Sequence, residues 1–126
     1  METEGLKATE AECAEGRNAP RVSLADLEEN ISTLAYFIAG DAVTHLFRPE
    51  IDKLVLEKNG RGGWQSLGVL TICLLVTCNG FTIIGKNAPA SPDNFDAELG
   101  RKLAYEDAVR QLWPLMGYAL REKLAR

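Results

Sequence analysis

Apolar positions change their spacing along the chain, and each change marks an element. Leu24, Leu27, Ile31, Leu34, Ala35 and Ile38 recur every three or four residues, which predicts a helix over residues 23–39 with one apolar face. Ser23 followed by Asp26 approximates a capping box, with a carboxylate in place of the longer Glu or Gln, and acids crowd the first turns where the helix dipole favours them. Gly40 and Asp41 mark a break before a short continuation to Phe47.

From residue 68 the spacing shortens. The stretch "GVLTICLLVTCNGFTIIGK" sets β-branched and apolar residues on both sides of Asn79-Gly80, the favoured pair for a two-residue turn whose central positions both need φ > 0. Such a turn places Cys78 opposite Phe81, Val76 opposite Ile83 and Leu74 opposite Gly85. Ile72, Leu74, Val76, Cys78, Phe81 and Ile83 then share a wholly apolar face, and Thr71, Cys73, Leu75, Thr77, Thr82, Ile84 and Lys86 share a mixed one. The apolar face is expected to pack on helices. The mixed face is still too apolar for full exposure, and a lone hairpin is marginally stable, so a further strand or a second subunit is expected to complete it.

The helical spacing returns after the loop "NAPASPDN", with Ser91 placed to cap and Pro92 to occupy the first helical position. Leu99, Leu103, Val109, Leu112, Trp113, Met116, Leu120 and Leu124 form the apolar stripe, while Gly100, Ala104 and Ala108 leave a seam where another element can approach closely. Pro114 removes a main-chain hydrogen bond and Gly117 loosens the same turn, which predicts a kink. The expected fold class is α+β: an N-terminal helix, a central β-hairpin over about 69–86 turning at Asn79-Gly80, and a long C-terminal helix over about 92–124, kinked near Pro114. Residues 49–58 fit either a short helix begun at Pro49 or an edge strand "KLVLE", with the proline favouring the helix.

Composition adds a division of the chain. Residues 1–20 hold five glutamates, one lysine and one arginine, and so carry −3 of the net charge of −4. With few bulky apolar residues this segment is expected to be a disordered acidic tail ahead of a single compact domain over 21–126. The remainder is nearly neutral, without the basic face of a duplex binder, so nucleic acid is an unfavoured partner. Cys73 and Cys78 read as buried free thiols of a reducing compartment, and Cys13 stands in the tail. The longest apolar run, "LGVLTICLLVTC", has 12 residues, short of the roughly 18–20 needed to cross a bilayer, and the acidic start is unlike a signal peptide. A protein of the host cytoplasm with no membrane partner is the expectation.

One composite motif goes further. The sequence "TICLLVTCNGFTIIGKNAPASPDNFDAELGRKLAYEDAVRQLWPLMGYALREKL" resembles a family of small tailed-phage proteins, named for gene product forty-nine of phage N four and gene product sixty-six of phage Sf six. The residues that carry the resemblance are Asn79, Gly80, Phe81, Thr82 and Gly85; Pro92, Asn94, Phe95, Asp96, Glu98 and Gly100; Ala104 and Ala108; and Trp113, Leu115, Gly117 and Tyr118. Family members often read Gly-Glu-Ser-Ala-Cys after the hairpin, where this chain reads "GKNAP". The resemblance implies a phage or prophage accessory protein and no particular reaction.

Candidate chemistry is sparse. Asp96 and Glu98 diverge on a helix with no histidine beside them, and the single His45 follows the apolar face without a nucleophile, so no enzyme activity, catalytic residue, metal or cofactor is expected. Tyr118 and Arg121, with Trp113 before them, are the residue types that anchor protein contacts. Lys86, Asn87, Ser91, Asn94 and Arg101 surround a helix start and are candidates for holding an anion. Two functions compete: a non-enzymatic module that engages or inhibits a host protein, and a sponge for a small anionic ligand such as a nucleotide signal. A nucleic-acid-associated role ranks behind both, and the apolar second hairpin face predicts a homo-oligomer.

Overall fold

A computed structural model describes residues 4–14, 19–48, 50 and 53–126. Helices α1 (Glu4–Ala14) and α2 (Leu24–Glu29) lead into strand β1 (Ile31–Ile38). Helices α3 (Ala39–Leu46) and α4 (Gly63–Leu67) follow, then strands β2 (Thr71–Thr77) and β3 (Thr82–Asn87), a 3₁₀ turn at Pro92–Asn94, and helix α5 (Ala97–Leu124). The strands form one antiparallel sheet in the order β1-β2-β3, covered on one face by α5, so the α+β class holds.

The helix expected over 23–39 is corrected. Its start is as read: Ser23 accepts from the Asp26 amide at 3.1 Å while the Asp26 carboxylate takes the Ser23 amide at 2.9 Å. The Ser23 main chain and then its hydroxyl hold the Asp26 carboxyl below its ordinary range. The helix stops at Asn30, whose carbonyl takes the Cys78 amide at 2.9 Å, and residues 31–38 continue as a strand. "ISTLAYFI" is rich in β-branched and aromatic residues, and pairing with β2 satisfies its main chain, so the strand wins over a helical spacing shared by both readings. This is the third strand that the hairpin needed.

The hairpin exists, but its register and faces are corrected too. Gly80 donates to the Thr77 carbonyl and Thr77 to the Phe81 carbonyl, both at 2.9 Å, and Gly80 has φ = 88°. Cys78, Asn79 and Gly80 thus form a three-residue loop, a tight turn closed by a left-handed glycine, in place of a two-residue turn. The pairing shifts by one: Leu75 faces Ile83 and Cys73 faces Gly85. Thr71, Cys73, Leu75 and Thr77 point inward with Ile83 and Gly85, whereas Ile72, Leu74 and Val76 lie on the outer face with Ile84.

Helix packing explains why the smaller residues went inside. A Cβ on Gly85 would lie 2.1 Å from the Ala104 carbonyl and 2.8 Å from the Ala108 Cβ, and one on Gly100 would lie 2.6 Å from Thr71 Oγ1. The seam of small residues on α5 therefore seats on equally small positions of the sheet, and Leu75, Ile83, Val109 and Leu112 fill the space beside it. The cap of α5 also moves: Asp96, not Ser91, accepts from the Leu99 amide at 3.1 Å, and Ser91 with Pro92 opens the short 3₁₀ turn. The helix then runs without interruption through Pro114. Along edge strand β3, Gln111 donates to the Ile84 carbonyl at 2.8 Å and the Lys86 amide donates to Asp107 at 3.0 Å, so α5 blocks that edge against further strands.

The segment expected to be a disordered tail contains α1. Leu6 is 3% exposed in the main core, and a Glu10 carboxylate oxygen accepts from the Leu24 amide and lies 3.6 Å from Arg21. One leucine and one acid at helical spacing suffice to anchor a segment whose composition is otherwise too polar to fold alone. Residues 53–60 are neither helix nor strand, and Pro49, with 51 and 52, lies outside the described residues, as does the Cys13 side chain. Among the described residues no helix is long and apolar enough to cross a membrane.

Candidate surfaces for binding

Two surfaces stand out, and the first is the outer face of the sheet. Ala35 and Phe37 of β1, Ile72, Leu74 and Val76 of β2, and Ile84 of β3 share it, with Thr33, Thr82 and Lys86 as its polar members. Phe37 and Leu74 are 37% exposed and Ile84 59%. Strand pairing sets these residues side by side, Ala35 against Leu74, Phe37 against Ile72 and Leu74 against Ile84. The one-residue loop shift turned them outward. The signal that could have found this face was the matching of Gly85 and Cys73 to the Ala104–Ala108 seam.

The second surface is the distal half of α5. Beyond Leu112 no residue is fully buried, and Leu115, Tyr118 and Leu124 are exposed. An apolar pocket of about 540 Å3 lies on one flank, lined by Thr9, Arg21, Val22, Trp113, Pro114, Gly117 and Leu120. On the other flank Phe81, Leu112, Leu115, Met116 and Ala119 border a cleft of about 200 Å3, beside Asn30, which donates to the Met116 sulfur at 3.6 Å.

The sequence-predicted contact residues are divided between these flanks. Tyr118 and Arg121 are exposed, while Trp113 is partly buried against the core and donates to the Val22 carbonyl at 3.1 Å. The predicted anion group is not brought together as one pocket. Arg101 borders a cleft of about 100 Å3 formed with Tyr36, Phe37, Ile38, Thr71 and Ala97, which Lys86, Asn87, Ser91 and Asn94 do not line. His45 is exposed at the last turn of α3.

Of the two thiols read as buried, Cys73 is and Cys78 is exposed. Burial pushes the Cys73 thiol up to about 11, against a hydrogen bond from Tyr36 that acts the other way. Tyr36 faces Cys73 across the β1–β2 ladder and is itself raised, first by burial. A protonated, enclosed thiol of this kind is a packing group and a poor nucleophile. Among the described residues no three His, Cys, Asp or Glu side chains gather into a metal cluster.

Sequence reading missed Glu106. It is 5% exposed, its Oε1 lies 4.0 Å from Arg110, and its Oε2 is buried with no hydrogen-bond partner. It follows Ala104 and Tyr105 on the buried side of α5, and its place among helix-surface charges hid it. Thr71 Oγ1, wedged against Gly100, is likewise buried without a hydrogen-bond partner.

No match to the chain was found among curated proteins or among solved structures. A family model described as "Phage protein (N4 Gp49/phage Sf6 gene 66) family" matches residues 22–124, from just before α2 to the last residue of α5. The chain therefore belongs to this phage protein family, as its hairpin and C-terminal motifs implied.

Proposed function

We propose that this phage accessory protein is a non-enzymatic binding module that engages or inhibits a host component, and that the outer sheet face makes the contact. The carrying observation is the run of exposed apolar residues across all three strands, Phe37, Leu74 and Ile84 among them. Three strands about 4.8 Å apart and about 20 Å long make a face of roughly 300 Å2. That matches the largest patch on an ordinary monomer, about 300–600 Å2, which is often functional. It falls below the about 800 Å2 per partner of a stable complex, which favours a transient host contact over an obligate oligomer.

Arg101 supports the sponge for a small anion less well. A cleft of about 100 Å3 has room for a phosphate-sized group, whereas a site for a larger ligand spans about 300–1,000 Å3.

The test is capture of host proteins on the tagged chain, comparing wild type with Leu74→Lys plus Ile84→Lys and with Tyr118→Ala plus Arg121→Ala. Loss of a partner with the first pair and retention with the second supports the reading. A partner kept by the first pair and lost with the second moves the contact to the end of α5. Light scattering at micromolar concentration that shows a stable dimer, dissolved by the first pair, would assign the face to self-association instead.

A further inference from the structure

The two edges of the sheet are treated differently. On β3 the outward main-chain groups are occupied, the Ile84 carbonyl by Gln111 and the Lys86 amide by Asp107. On β1 the Ala39 amide donates to the Leu70 carbonyl at 2.9 Å and continues the ladder with β2, so Ala35, Phe37 and Ala39 turn their main-chain groups toward β2. Leu34 alternates with them and turns its N–H and C=O to the open side, where among the described residues neither has a partner. The strand "ISTLAYFI" carries no charge and no proline, the usual devices by which an exposed edge refuses another strand. Its bulge, between Ile31 and Thr33, disturbs only the first end. The Leu34 side chain points to the helix side yet is 38% exposed, because α5 is seated on β3 and β2.

We propose that the β1 edge joins two copies of this chain, antiparallel about a two-fold axis at Leu34 or Ala35, into one six-stranded sheet. Such an axis needs a mid-strand residue whose donor and acceptor both face outward, and Leu34 supplies it. An uncharged strand meets no like charge when it pairs with its own copy. The two Leu34 side chains then lie directly or diagonally opposite on the helix side, and each covers apolar surface that the other leaves open. Both β3 edges stay blocked by α5, so the assembly stops at two copies. One strand pair buries less than the about 800 Å2 per partner of a stable complex, so the dimer forms and dissolves with concentration. It also makes the two outer faces continuous, from roughly 300 Å2 to roughly 600 Å2. The pairing does not depend on that face binding anything.

Disulfide trapping tests the geometry, in the full chain carrying Cys13→Ser and Cys78→Ser. Facing residues of an antiparallel pair have Cα atoms about 4.5–5.5 Å apart, within the about 4.4–6.8 Å that a disulfide spans. In a glutathione buffer, Leu34→Cys or Ala35→Cys is expected to give about 10-fold or more covalent dimer than Ile84→Cys, because pairing raises the effective concentration of the two thiols. Ile84 is the more exposed position, at 59% against 38% for Leu34, but it lies on the blocked edge. Dimer from neither β1 variant beyond the level of Ile84→Cys overturns the proposal.

Light scattering on the unsubstituted chain gives a second measurement. Its mass is expected to rise with concentration toward twice that of one 13.8 kDa chain. Leu34→Pro removes the outward N–H and no ladder bond, and Leu34→Lys puts a charge on the edge. Each is expected to move the monomer–dimer midpoint to about 10-fold higher concentration or beyond. Leu74→Lys plus Ile84→Lys, on the outer face, is expected to leave the midpoint in place. A dimer that this pair dissolves and both Leu34 variants keep overturns the proposal and assigns the contact to the outer face. A monomer at every concentration also overturns it, and leaves the edge to a strand of another protein.

Discussion

The inner and outer faces of the sheet are built from alternating residues of the same three strands, and the less hydrophobic of the two is the one that is buried. On β2 the inner positions are Thr71, Cys73, Leu75 and Thr77, and the outer ones Ile72, Leu74 and Val76. Hydrophobicity by itself would bury the second set. Shape decides otherwise, because α5 comes close enough that its Ala104 carbonyl occupies the place of a Gly85 side chain. A close-packed interface between a small-residue helix and a sheet needs small residues on both sides. The outer face, which no described helix covers, carries the larger aliphatic side chains and is the surface we propose for a partner.

Four measurements would break or sharpen this contrast. Gly85→Ala forces a Cβ into the α5 main chain, and the expected loss of about 3–5 kcal/mol in urea unfolding is the largest of the set. A loss below about 1 kcal/mol would mean that α5 does not sit against β3 in the way described.

The neighbours Leu75 and Leu74 give the direct comparison. Leu75 is 1% exposed, so Leu75→Ala should cost about 2–5 kcal/mol, whereas Leu74→Ala on the outer face should cost less than about 1 kcal/mol. The reverse order would restore the two-residue turn and the opposite facing of the strand.

The buried thiol gives the inner face a signature in alkaline solution. Folding raises Cys73 from 9.0 to about 11, so its contribution is fully present below pH 9 and is lost as pH rises through 11. The expected loss is about 1 kcal/mol between pH 9 and 10 and about 2–3 kcal/mol by pH 11. Cys73→Ala should flatten the fall between pH 9 and 10, before the buried tyrosines add their own. The same slope in both proteins would place the thiol in contact with water.

The smallest effect is expected outside. Leu74→Lys plus Ile84→Lys should change unfolding free energy by no more than about 0.5–1 kcal/mol while removing binding of a hydrophobic dye to the native protein. A large destabilisation would show that something covers this face within the chain.

The helix start at Ser23-x-x-Asp26, the existence of a hairpin around Asn79-Gly80 and the small-residue seam of α5 were all legible in the residues, because each depends on neighbours a few positions away. The family motif was legible for the same reason. The strand at 31–38 was not, since its apolar spacing suits a helix and a strand alike, and pairing with β2 some 40 residues onward settles it. Neither was the facing of the hairpin. Alternation dictates which side chains travel together, but the direction they point depends on whether the turn holds two or three residues and on which set α5 can approach. The docking of α1 lay furthest from view, resting on Leu6 and Glu10 meeting a groove made by α2 and α5. Local chemistry wrote the elements into the chain, and long-range packing chose which surface each would hide and which it would offer.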